Sequence, residues 1–175
     1  LKSGAINNTG FSIAENYARF LFESRQIKEA QEKLSQAGQM AQKLYSPNSV
    51  EQGYVHELQA DIHMFSGNVK GADEDYATAF KNFVTLPPAN QASHRVNAAK
   101  KFMNANRPDL TRNALESMAT DYALLFGLPE KNQLEVTSIY CEALHQLNLN
   151  EIAINHLNRH QMNSSSPFVQ NAIAI

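Results

Sequence analysis

The chain reads as an all-α array of helical hairpins. Three observations carry that expectation. Apolar residues recur at helical spacing, as at Val136, Tyr140, Ala143, Leu144 and Leu147, and do not alternate as strands would. Glycine and proline number only 7 and 6 in 175 residues, and the prolines fall at breaks between the periodic stretches. The segment Ala60–Ala79, ADIHMFSGNVKGADEDYATA, places small residues at Ala60, Ala72 and Ala79, Gly67 between them and an aromatic at Tyr76. That pattern predicts a helix, a tight turn and a second helix, with alanines where the two must come close. The same skeleton recurs around Ala18 and Ala30, and around Cys141 and Ala153. A hairpin repeated along a chain indicates a solenoid.

Taken in order, the spacing predicts helices over 11–25, 27–45, 49–66, 70–86, 90–106, 109–127, 131–147 and 149–162, and a ninth from 167. Tyr17, Phe20, Leu21 and Ser24 mark the apolar face of the first. Ser46-Pro47-Asn48-Ser49 breaks the second from the third. Ser49 is the expected N-cap, with Gln52 as its capping-box partner. Pro87 and Pro88 separate the fourth and fifth. Pro108 belongs at a helix start, where its missing N–H costs nothing. Gly127 is expected to take the left-handed conformation after the sixth. Pro129 precedes the seventh, and Ser164-Ser165-Ser166 forms a polar linker before Pro167.

The repeats align on the alanine that opens each second helix: Ala30, Ala72 and Ala153. Twelve residues earlier lie Ala18, Ala60 and Cys141, and four residues later lie Leu34, Tyr76 and Leu157. Ala37 and Ala79 follow seven after the first two, but His160 follows the last. In the third hairpin Ala99 and Phe102 fit the first helix, while Thr111, Leu115 and Met118 stand in the second. The period is 42 residues from Ala30 to Ala72 and 81 across the next two hairpins.

Over residues 11–162 this pattern resembles the tetratricopeptide repeat family. The resemblance is good in the second hairpin, fair in the first and fourth and weak in the third. It departs from the family's period of about 34 residues, and Ala14, His56 and Thr137 replace a bulky aromatic. What it implies is a right-handed superhelical array of antiparallel hairpins with long repeats of about 40 residues. Four hairpins and the first helix of a fifth would form one domain over 1–175. Since the chain opens at Leu1 and closes at Ile175 inside an apolar pattern, the sequence reads as a segment of a longer protein.

Composition narrows the function classes. Hydrophobic residues make up 43% and charged residues 18%, enough apolar material for a core. Net charge is −2 with a pI near 6.3, unlike the basic footprint of a nucleic-acid binder. The basic stretch from Arg95 through Lys100 and Lys101 to Arg107 reads as a solvated face. No run approaches the ~20 apolar residues of a membrane span. Cys141 is the sole cysteine and reads as a small buried hydrophobe. One cysteine fits a reducing compartment such as the cytoplasm and is compatible with the periplasm; the compartment is otherwise open.

No nucleophile or phosphate-binding motif is visible, so an enzyme is not expected, and no cofactor or metal is implied. His156 and His160 could face one metal at their four-residue spacing, but zinc needs more ligands and Arg159 stands between them. They read as a solvated or half-buried face. His63 falls where the family packs a large side chain inside the hairpin. Asp73-Glu74-Asp75 reads as negative charge favoured at a helix start.

In the family, the first helix of each hairpin lines a concave groove. Carried onto this sequence, the resemblance implies groove positions at Glu15, Arg19, Phe22, Tyr54, Glu57, Asp61, Met64, Phe65, Lys100, Met103, Glu142 and His145. Acid together with adaptable apolar surface suits a basic amphipathic helix or an extended basic peptide. The expected function is therefore a protein- or peptide-binding scaffold. The alternative is a ligand-sensing or regulatory domain of a larger signalling or transcription-regulating protein. A homodimer through the apolar tail of Phe168, Val169, Ile173 and Ile175 is a further expectation.

Overall fold

The computed structural model describes residues 7–163, which form helices and turns and no strand. Two compact units divide the chain, Leu1–Leu86 and Pro87–Ile175. The first contains α1 (Asn8–Glu23), α2 (Ile27–Leu44), α3 (Val50–Phe65), α4 (Val69–Asn82) and a 3-10 turn at Phe83–Thr85. The second contains α5 (Pro88–Asn104), α6 (Pro108–Thr120), α7 (Tyr122–Phe126), α8 (Glu130–Gln146) and α9 (Asn150–Asn163). The expected helix from 167 and the apolar tail lie outside the described residues.

The helix ends follow local chemistry. Asn7 Oδ1 accepts the Gly10 N–H at 2.7 Å, so α1 begins earlier than its apolar pattern. Ser49 Oγ accepts the Gln52 N–H at 3.3 Å, so Ser49 is the N-cap, but its own N–H bonds Ser46 O at 3.1 Å and the reciprocal half of the capping box is not made. Pro88 and Pro108 occupy first-turn positions. Two expected helices are shorter than their spacing suggests. The fourth gives way to the 3-10 turn after Asn82, and the sixth breaks at Asp121, whose carboxylate caps α7 through the Leu124 N–H at 3.0 Å. Gly127 has φ −77°, so the left-handed expectation there was wrong.

Left-handed residues occur elsewhere, once in each of four turns. Arg25, Gly67, Asn106 and Asn148 have φ of 64°, 76°, 56° and 59°. Each ends a first helix in the same hydrogen-bonded way. The Arg25 N–H bonds Phe22 O and the Gln26 N–H bonds Leu21 O. Gly67 and Asn68, Asn106 and Arg107, and Asn148 and Leu149 repeat those two bonds. This is the Schellman ending, which satisfies the last carbonyls of a helix. Each left-handed residue stands five before Ala30, Ala72, Thr111 or Ala153, the alignment positions of the second helices.

Within each unit the consecutive helices α1 and α2, α3 and α4, α5 and α6, and α8 and α9 pack together. Small residues make that approach possible: Ala18 and Ala30, Ala60 and Ala72, and Ala99 and Thr111 are all fully buried. The buried Thr111 hydroxyl donates to main-chain oxygen and lies 3.2 Å from Ala99 O and 3.0 Å from Arg107 O, so its polarity is satisfied. Stacking between pairs differs in the two units. α3 lies chiefly on α2 in the first, whereas α8 lies on both α5 and α6 in the second, with α7 added. The packing is thus all-helical without a uniform hairpin-to-hairpin repeat.

The first unit buries Ala18, Leu21, Ala30, Leu34, Leu58 and Ile62 in one cluster, and Phe11, Ala37 and Ala41 in another. The second buries Phe102, Leu115, Met118, Leu125, Tyr140 and Leu144. One expectation fails in α1. Its buried stripe is Phe11, Glu15, Ala18 and Leu21, while Tyr17 and Phe20 are 46% and 58% exposed and stack on each other outside. The helix carries two apolar stripes, and spacing alone does not say which one meets α2.

Candidate functional site

The first unit brings the acidic groove positions together on α1 and α3. Glu15, Glu57 and Asp61 are each only 8% exposed, and they surround one guanidinium. Arg19 Nη2 lies 2.8 Å from Glu15 Oε1 and 3.8 Å from Glu57 Oε2. Burial alone would depress Arg19, but Glu15, Glu57 and Asp61 outweigh it and push its pKa up. Asp61 also receives the Tyr76 hydroxyl from α4. Burial, then the Asp61 carboxylate, push Tyr76 far up, so it remains a donor. Tyr54 is raised too, by burial and then by Glu57, Glu15 and Glu51. Three carboxylates and the Arg19 guanidinium thus share this face.

Several apolar groove positions pack onto their neighbours. Phe22 joins the core cluster and meets Phe65 edge-on at 6.2 Å, and the Arg25 guanidinium lies 4.9 Å over the Phe65 ring. Tyr54 meets Phe83 at 5.3 Å. Phe65 still keeps 49% of its surface exposed, and Met64 is half-buried. In the second unit, Lys100 is exposed and pairs with Glu135, Met103 is half-buried, Glu142 is exposed, and His145 Nδ1 lies 2.8 Å from Asn150 Oδ1. That unit assembles no carboxylate cluster from the expected positions.

A second constellation in the first unit was not anticipated. Asp75 lies in the second turn of α4, beyond the end where the helix dipole acts, and it holds two imidazoles. Its Oδ1 is 2.8 Å from His56 Nδ1 and its Oδ2 is 3.1 Å from His63 Nδ1. Gln59 Nε2 stands 3.2 Å from His63 Nε2. His63 is therefore a half-buried polar partner, not a core filler. A cleft of about 300 Å³ opens beside Asp75, walled by α2, α3 and α4. A signal for this pair was present. His63 and Asp75 are twelve apart, the same separation that places Ala60 against Ala72, and His56, Gln59 and His63 share one helical stripe.

His156 and His160 point inward, against the expectation of a solvated or half-buried face: they are 3% and 2% exposed. Tyr122 and Tyr140 lie 5.6 and 5.3 Å from the His156 ring, and Phe126 lies 5.6 Å from that of His160. Burial, then His160 and Arg159, push His156 down to about 4, and burial lowers His160 as well. Among the described residues, no group of three or more His, Cys, Asp or Glu could hold a metal ion. No helix among them is long and apolar enough to cross a membrane. Cys141 is half-buried near Ala153 O, and burial pushes its thiol up to about 12, so it remains protonated.

Comparison of the chain with protein-family models, with curated proteins and with solved structures finds no match in any of the three.

Proposed function

We propose that this chain is a protein- or peptide-binding module built from tetratricopeptide-like hairpins. The four recurring turns and the buried small pairs twelve residues apart support the hairpin reading. The observation that carries the binding reading is the clustering of the Glu15, Glu57 and Asp61 carboxylates around Arg19. Three carboxylates held near low-dielectric surface favour an incoming cation. Half-exposed Phe65 beside them offers apolar contact. The partner that fits is a basic amphipathic segment, with lysine or arginine for the carboxylates and apolar residues for the aromatic edge.

The test is fluorescence anisotropy with two labelled amphipathic peptides, one of lysine and leucine and one of glutamate and leucine. The basic peptide should bind, more weakly as salt rises. A Glu15→Gln/Glu57→Gln variant with unchanged helicity should bind it about tenfold more weakly, the loss of about 1.4 kcal/mol. Equal binding of both peptides, or equal binding by parent and variant, would overturn the reading.

A further inference from the structure

We propose that the cleft between α2, α3 and α4 is a binding site for a small organic cation, an alkylammonium or alkylguanidinium, with Asp75 as its counter-ion. The inference stands apart from the peptide reading, because the residues concerned lie on a different stripe of α3. Glu57 and Asp61 share one face of that helix, whereas His56, Gln59 and His63 share another.

The chemistry of the walls selects the ligand. The cleft of about 300 Å³ is at the small end of ligand pockets. Among the described residues Asp75 is the one carboxylate that lines it, and no lysine or arginine does. Gln59 Nε2 lies 3.2 Å from His63 Nε2, which steadies that ring beside the cleft. His63 Nδ1 lies 3.1 Å from Asp75 Oδ2, but the two form no hydrogen bond. His56 Nδ1 occupies the other carboxylate oxygen at 2.8 Å. A carboxylate offers about four lone-pair sites, so the His56 hydrogen bond leaves acceptor capacity on Asp75.

His56 also holds the carboxylate in place, and the Asp75 side chain is only 18% exposed. A charge fixed and partly withdrawn from water attracts a counter-ion more strongly than one free in solvent. Gln39 and Gln42 present amide oxygens that can accept the remaining N–H groups of a cation. Leu34 and Val55 supply an apolar wall for its alkyl chain. An anion would meet Asp75 directly, and a neutral ligand would form no ion pair with it.

The probes are butylguanidinium and its neutral counterpart 1-pentanol, titrated into the protein and followed by amide chemical shifts. Butylguanidinium should saturate shifts in α2 and α4 residues around the cleft, and 1-pentanol should not. Asp75→Asn should weaken binding at least tenfold. Because that variant also disturbs two histidines, Gly38→Leu is the second test: it fills the cleft and leaves every charge in place, and should also weaken binding at least tenfold. Glu15→Gln/Glu57→Gln should leave these shifts unchanged. Absence of saturable shifts in the parent, equal response to 1-pentanol, or full binding by Gly38→Leu would each overturn the proposal. Loss in Glu15→Gln/Glu57→Gln with retention in Asp75→Asn would also overturn it, and would assign the cation to the α1 and α3 cluster.

Discussion

Replacing Gly67 by alanine and replacing Gly38 by alanine should move stability in opposite directions. At Gly67 the backbone is left-handed, with φ of 76°, and an added Cβ meets nothing within 4 Å. The backbone alone therefore sets the cost. An L-residue in that conformation loses roughly 1–2 kcal/mol. The stiffer unfolded chain of alanine offsets about 0.4–1 kcal/mol of this. The net loss is about 1 kcal/mol. Gly38 stands inside α2, where an added Cβ would meet Val55 Cγ1 at 3.5 Å, an ordinary contact. Alanine there should add about 0.5–1 kcal/mol, the usual gain over glycine in a helix interior. Urea denaturation followed by circular dichroism measures both. With a slope of about 1–3 kcal/mol per molar urea, Gly67→Ala should lower the midpoint by roughly 0.3–1 M, and Gly38→Ala should raise it. Shifts of the same sign, or no loss at Gly67, would refute the argument that turn geometry decides the effect.

Gly53→Ala should destabilise for a different reason: its Cβ would lie 2.5 and 2.8 Å from Phe83 ring carbons and 3.1 Å from Asn82 Cβ. Overpacking of this kind costs about 1–3 kcal/mol, and the same urea titration reads it. Tyr76→Phe removes the buried donor to Asp61, a charge-assisted bond of about 1.5–3 kcal/mol. A midpoint unchanged from the parent would show that Asp61 is held by its other partners alone. Acid should weaken the second unit through His156, whose pKa falls from 6.5 to about 4 on folding. Above 6.5 both states are neutral and nothing changes; between 6.5 and about 4 the unfolded chain takes up a proton that the folded chain refuses. At about 1.4 kcal/mol per pH unit, reduced by partial solvent screening of the ring, the loss should reach about 2 kcal/mol. His156→Phe should flatten that part of the pH profile, and a profile as steep as the parent's would assign it to other groups.

Much of the helical layout was legible because it is local. Apolar spacing, proline positions and the Ser49 cap each act within a turn or two of chain, and the observed helices follow them. What local pattern could not decide was which of two apolar stripes faces inward. Tyr17 and Phe20 looked like core, yet α2 meets Phe11, Ala18 and Leu21. The continuous patterns over 70–86 and 109–127 hid breaks at Phe83 and Asp121, where caps override periodicity. Among the candidate site residues, Glu15, Arg19, Glu57 and Asp61 do come together. Asp75 was misread because its partners sit 19 and 12 residues away on another helix. His156 and His160 were misread because the rings that bury them come from other helices, α7 and α8.

The four left-handed turns also bear on how the chain reaches its fold. Each joins consecutive helices that pack on one another, with aligned small residues twelve apart, so each closes a short loop with a small loss of chain entropy. Structure can then begin at any of four places along the chain without waiting for its ends to meet. Proteins rich in such local contacts fold fast. Glycine holds the turn once, asparagine twice and arginine once, so the starting points are unequal. The Gly67 hairpin, which closes without left-handed strain, is the one expected to form first.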